Sequence, residues 1–206
     1  MSSFEDVTLQ KMPAVVSVTI KPQDTSVIDS ESGIYFYKTP DFIKRCRIDE
    51  VSKNIRFNRA GVIPVFYNGT EFNYCLGVDK KYNDLTDFGG GVNLSEEPLE
   101  AALRELKEES LNIFDFFDVI EKIRTSSYAI YDSKGIIVFF VLVKVDMLET
   151  QKMFLTRFDN ESENSSIVWL KESEFQELLS SDKSDKYHLY DRVKNVISYV
   201  GGLIGP

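Results

Sequence analysis

Apolar residues along the chain follow two rhythms, alternate positions in some stretches and every third or fourth in others, and the change of rhythm marks the elements. Strand-like runs at 61–67 and 71–78 flank Asn68-Gly69. Asn-Gly accepts the positive φ angles of a tight turn, so the two runs read as a hairpin. Pro64 has no N–H for a ladder bond and points to an edge or bulge position in the first run. A second hairpin is expected from 125–131 and 136–146, around Asp132-Ser133-Lys134-Gly135. Between them, residues 96–110 change to a helical rhythm. At 100° per residue, Leu99, Ala102, Leu103, Leu106 and Ser110 share one side. Ser95 is placed to cap this helix, and Pro98 falls in its first turn, where a missing N–H is tolerated. A short strand at 167–170 and a short helix at 172–179 follow. Leu189, Val193, Val196, Ile197 and Val200 predict a closing amphipathic helix.

The first part of the chain is more polar. It holds one alternating stretch at 14–20, strand formers at 33–38 and a mixed, partly helical stretch at 40–58. We read 1–55 as an extension packed on the main domain, and 56–206 as that domain. Hairpin strands combined with two or three helices predict the α/β class, a sandwich built on a mixed sheet.

Composition narrows the function classes. The chain has 206 residues, 43% of them hydrophobic, which is enough for a packed core and excludes wholesale disorder. The longest strongly apolar run, 135–145, is roughly half of what a membrane span needs. Glu5 and Asp6 stand where a signal peptide would be basic and then apolar. A soluble, cytoplasmic protein with no membrane partner is the expectation. Two cysteines, Cys46 and Cys75, cannot make a disulfide framework, and a single histidine, His188, excludes a three-histidine zinc site. A net charge of −9 argues against a general nucleic-acid coat.

That charge is unevenly spread. Residues 43–59 carry Lys44, Arg45, Arg47, Lys53, Arg56 and Arg59 against Asp49 and Glu50. Residues 96–109 carry six glutamates against Arg104 and Lys107. One stretch suits phosphates, the other a divalent cation. Glu105, Glu108 and Glu109 stand at i, i+3 and i+4, so they share a helix face and repel one another unless compensated. Hard cations such as Mg²⁺ favour carboxylate oxygens and leave positions open for substrate phosphates. The preceding Gly89-Gly90-Gly91 lets the backbone turn tightly and come close to such an ion. A solvated acidic face is the plain alternative for the glutamates taken alone.

Glycines and glutamates together resemble the signature of the Nudix hydrolase family: Gly, five residues, Glu, seven residues, Arg-Glu-apolar-x-Glu-Glu-x-Gly-apolar. Gly90, Glu96 and Arg104-Glu105-Leu106-Lys107-Glu108-Glu109 meet it in register. With the neighbouring strands and helices, the resemblance extends over 61–200 and implies the Nudix type of α/β/α sandwich. Leu111 and Asn112 replace the family's last glycine and apolar residue, and Phe88 replaces the proline often found before the paired glycines. A glycine at 111 would end the helix and turn the chain. Ile113 stands close enough to restore the apolar contact.

The resemblance implies a hydrolase that cleaves a phosphoanhydride bond in a nucleoside diphosphate-linked small molecule, with Mg²⁺ or Mn²⁺ as cofactor. It assigns Glu105, Glu108, Glu109 and the Gly90 carbonyl to the metal. Arg104 would orient Glu105 in the catalytic centre, and Glu96 with Gly89 would brace the loop. Family members also use a later acid before a tryptophan-bearing strand. Trp169 is the sole tryptophan, and Glu163, six residues ahead of it, is favoured over Glu161. Tyr128, with Tyr131 nearby, would stack on substrate, and Arg59 with the basic stretch, or Lys80 and Lys81, would meet its phosphates. Capped RNA is among the substrates that stretch would suit. A fold of this type that binds a nucleotide or a protein without hydrolysis is the alternative from another class, motivated by Leu111.

Overall fold

The computed structural model describes residues 26–29, 34–38, 57–132, 134–180 and 187–198. The expected strand at 14–20, the mixed stretch at 40–56, Cys46 and Val200 lie outside them. The first hairpin joins β3 (Arg59–Tyr67) to β4 (Phe72–Asp79), with Tyr67 opposite Phe72. Its connection is longer than a two-residue turn. Asn68 acts through its side chain, Oδ1 accepting from the N–H groups of Thr70 (2.9 Å) and Glu71 (3.0 Å), while Gly69 takes the positive φ of 99°. The second hairpin, β7 (Tyr128–Asp132) and β8 (Ile136–Leu142), lies beside it, with β8 parallel to β3. Beyond β7, β2 (Ile34–Lys38) and then β1 (Ser26–Asp29) extend the sheet. On the other side, β4 pairs with β5 (Leu85–Thr86) and β9 (Asn164–Lys171), and β6 (Phe88–Gly91) pairs with the first half of β3.

Pro64 is therefore not on an edge strand. β3 pairs with β6 through Val62 and with β4 from Val65, so Pro64 falls at the changeover between those two partners. A residue without an N–H costs the ladder least at such a place.

Helices cover both faces. On one, α1 (Pro98–Glu109), α2 (Phe116–Ser126) and α3 (Met147–Arg157) pack through Ala101, Ala102, Leu106, Val119, Ile123 and Phe154. On the other, α4 (Glu172–Ser180) and α5 (Asp191–Ile197) pack through Phe175, Leu178, Val193 and Ile197. The layers are helix, mixed sheet, helix: an α/β sandwich, as expected. No helix among the described residues is long and apolar enough to cross a membrane.

Two helices were not expected. The first occupies the lead-in to β7, and α3 begins where the second hairpin was expected to end. Both carry an aspartate cap: Asp115 accepts from the Asp118 N–H and Asp146 from the Glu149 N–H, each at 2.9 Å. On α3, Leu148 and Leu155 face solvent while Thr150 and Phe154 are buried, so apolar residues on both sides erase the periodic signal. The cap of α1 also differs. Pro98 is the first helical residue, Glu97 rather than Ser95 is the N-cap, and the Glu100 carboxylate accepts from the Glu97 N–H at 3.1 Å.

Candidate active site

The site forms where β6 crosses the start of β3 beneath α1. Ala60 lies opposite Gly90, and Gly61 opposite Gly89. A Cβ on Gly89 would stand 2.5 Å from the Gly61 Cα, so the two backbones touch where no side chain fits. Phe88 turns into the core edge-on to Phe114, with ring centres 6.1 Å apart, which accounts for an aromatic where a proline was expected.

Glu105 sits directly on the strand. A Cβ on Gly90 would come within 2.4 Å of its Oε1. One turn on, Glu109 Oε2 accepts from the Gly89 N–H at 2.8 Å. Burial pushes the Glu109 carboxyl up to about 9, helped by Asp87 and Glu105 and opposed by the Gly89 N–H and Arg59. Glu108, on the same helix face, is largely exposed. Among the described residues, no three acidic, histidine or cysteine side chains converge as a ready-made metal cage. Glu105 is drawn toward Arg104 and Glu109 toward the strand.

Arg104 organises the acidic face. Its Nε donates to Glu96 Oε1 at 2.8 Å, Nη1 to Glu105 Oε1 at 2.5 Å, and Nη2 to the Gly91 carbonyl at 2.9 Å. Glu108 Oε2 lies 3.3 Å from Nη1. This fork ties helix, strand and loop together. Arg104 in turn holds the Glu96 carboxyl down at about 2, with the Asn93 N–H and side chain assisting. Since Glu96 is more acidic in the folded chain than the usual 4.5, its contribution to stability is complete above pH 4.5 and fades as pH falls toward 2. Denaturant midpoints measured between pH 2 and pH 6 should fall over that window, and Glu96→Gln should flatten the fall. Equal slopes in both proteins would contradict the pairing.

Two charged residues lie under the glycines. Asp87 is fully buried and takes Arg59 in a bidentate pair, Nη1 to Oδ2 at 2.8 Å and Nη2 to Oδ1 at 2.6 Å. The second nitrogen also donates to the Gly89 carbonyl at 3.0 Å. Arg59 was expected to meet substrate phosphates; its guanidinium is instead engaged beneath the glycine strand. Sequence reasoning passed over Asp87, although an acid two residues before a glycine triplet was a signal.

The later loop carries Glu163 beside Asn164 at the start of β9. Glu163 is exposed, and its carbonyl accepts from the Lys80 N–H at 2.9 Å. Its neighbour Asn164 is buried and reaches the helix, Nδ2 lying 3.3 Å from the Glu109 carbonyl. Lys80 is tied to the Asn160 carbonyl at 2.7 Å, and Trp169 donates to Thr150 Oγ1 at 3.1 Å. Tyr128 packs against the core under α4 and α5, on the sheet face away from α1.

Helix α1 ends as if it had its glycine. Asn112 N–H returns to the Lys107 carbonyl at 2.8 Å and Leu111 N–H to the Glu108 carbonyl at 3.2 Å, the pair of bonds that closes a helix through a left-handed residue. Leu111 takes that place with φ 54°. Ile113 is buried just beyond, as the lost apolar contact required.

Glycine strand, braced arginine and acidic helix face coincide with a match to the family model described as NUDIX domain, over residues 58–193. The chain belongs to the Nudix family. Members of this family are hydrolases of pyrophosphate bonds and generally use divalent metals. Among solved Nudix structures, the chain is similar to an Ap4A hydrolase of C. elegans, with 14% identity over 71% of this chain and 92% of that one, at a TM-score of 0.39. A NUDIX family hydrolase from Clostridium perfringens shares 17% identity over 72% of this chain and 96% of its own, with a TM-score of 0.38. The NUDIX domain of Shewanella oneidensis NrtR, solved with ADP ribose, shares 10% over 66% and 85%, with a TM-score of 0.39. Likenesses this distant say nothing about the substrate of this Nudix chain. No curated protein matches it.

Proposed function

We propose that this chain hydrolyses a phosphoanhydride bond in a nucleoside diphosphate-linked or related small molecule, with Mg²⁺ or Mn²⁺ held by Glu105, Glu108, Glu109 and the Gly90 carbonyl. The observation that carries this reading is the seating of Glu105 on Gly90 and of Glu109 on the adjacent Gly89. Around that contact, among the described residues, the carboxyl groups of Asp87, Glu96, Glu105, Glu108 and Glu109 meet the guanidinium groups of Arg59 and Arg104. An excess of hard oxygen donors fits a hard divalent cation.

Such an ion supplies charge neutralisation at phosphate oxygens and a more acidic attacking water. The chain's own residues prepare for it. Arg104 fixes the direction of Glu105 and leaves one of its oxygens free of that contact. Gly90 lets the Glu105 carboxylate approach the main chain where a side chain would block it, and Gly89 offers its N–H to Glu109 while lying against Gly61. Asp87 and Arg59 hold the strand from below. We assign Glu163 the part of the later-loop acid, because its chain neighbour Asn164 touches the end of the glutamate helix and its own carboxylate is exposed. No substrate contact is assigned to Tyr128 or Arg59: one lies across the sheet from α1, and the other is paired with a buried acid.

The test is release of phosphate or nucleotide, with Mg²⁺ and then Mn²⁺, across one panel. The panel contains nucleoside triphosphates, ADP-ribose, nucleotide sugars, dinucleoside polyphosphates, diphosphoinositol polyphosphates and capped RNA. Metal-dependent turnover of one class supports the reading and names the substrate. Silence from a folded protein that still binds Mn²⁺ would favour a binding module instead.

A further inference from the structure

The glutamate helix closes with its own pair of backbone bonds, but through two residues in a conformation that suits glycine. Leu111 and Asn112 both adopt positive φ, 54° and 55°, where a branched apolar residue such as leucine is strained. Backbone N–H groups of Ser110, Leu111 and Asn112 meet the Leu106, Glu108 and Lys107 carbonyls, and two residues far along the chain brace the Glu109 carbonyl and the turn that follows it. Arg157 Nη1 donates to the Leu111 carbonyl at 3.0 Å and to the Asn112 carbonyl at 2.5 Å. Asn164 Nδ2 meets the Glu109 carbonyl at 3.3 Å.

Both donors stand on firm ground. Arg157 ends α3, which is pinned by the buried Phe154, by Trp169 donating to Thr150, and by Gln151 donating to the Ile167 carbonyl at 3.3 Å. Asn164 opens β9 and is buried over Gly77, whose absent Cβ would stand 2.6 Å from the carboxamide. We propose that Arg157 and Asn164 are positioning residues that clamp the C-terminal exit of α1 from outside, in place of a helix-ending glycine, and so fix Glu108 and Glu109 for the cation. The clamp explains how leucine is accepted at 111, and it ties the start of β9, next to Glu163, to the glutamates.

This inference rests on the reading that the α1 glutamates hold a divalent ion, and Mn²⁺ binding without substrate separates the two. Binding of Mn²⁺ is followed by the loss of the free-ion EPR signal, well below the melting temperature of each variant. Arg157→Ala should weaken Mn²⁺ binding about tenfold, the scale on which groups behind a metal ligand act. Arg157→Lys, which keeps a cationic donor on a shorter side chain, should fall between. Adding Leu111→Gly to Arg157→Ala should return binding to within about threefold of the parent, because glycine needs no outside clamp at positive φ. A loss of stability alone would lower melting temperatures and leave Mn²⁺ affinity where it was. Unchanged affinity in Arg157→Ala, or no recovery with Leu111→Gly, overturns the clamp while leaving the metal site standing. A parent that binds no Mn²⁺, tested beside Glu109→Gln, overturns the metal reading and the clamp with it.

Discussion

Glu109→Gln should abolish measurable turnover while leaving the protein folded. The carboxyl is the most deeply set of the three helix glutamates, and it accepts from the Gly89 N–H, a donor that a glutamine oxygen can still meet. Packing and that hydrogen bond therefore survive the change. A charged ligand does not. A metal ion contributes several kcal/mol to a phosphoryl transition state, so removal of one of its anionic ligands should cost about 10³-fold in kcat/KM. The comparison is made at saturating Mg²⁺ on whichever substrate the panel identifies, with circular dichroism confirming the fold. Turnover within tenfold of the parent would remove Glu109 from the site.

Asp87→Ala should produce the largest loss of stability of any single change near the glycines. Its carboxylate is fully buried, and Arg59 opposite keeps only 11% of its side chain exposed. Deleting one partner of such a pair leaves the other charge buried and uncompensated, at about 3–5 kcal/mol. In a domain of this size that corresponds to a melting temperature lower by about 10 °C. Replacing both, as Asp87→Leu with Arg59→Met, should cost far less than the two single changes added together, because no orphan charge remains. A melting temperature for Asp87→Ala within about 2 °C of the parent would show that water reaches Arg59 and that the pair is not sealed.

The two predictions differ in how visible their residues were. Glu105, Glu108 and Glu109 were legible because a helix turns linear spacing into a shared face, and glycines at a fixed distance ahead announce a close backbone approach. Asp87 was not, since its role depends on Arg59, which the sheet brings alongside from 28 positions away. Arg157 and Asn164 were further out of reach, their acceptors lying 46 and 55 positions back. Hairpins were legible from Asn68-Gly69 and the apolar runs around them. The helix ending in Arg157 was not, because its exposed leucines blur the rhythm that burial would otherwise write. Ser95 misled for a local reason: a proline at the first helical position and paired glutamates make their own cap two residues later.

The strand β3 serves two masters on one side, β6 first and β4 after Pro64. Time separates them. Pairing with β4 is a local hairpin and closes on the microsecond scale typical of such turns. Pairing with β6, and with β8 on the opposite side, must wait for long loops to close, which is intrinsically slower. By loop length alone, the short β3–β4 hairpin is expected to form ahead of the close approach of Gly61 and Gly89 on which the glutamates rest.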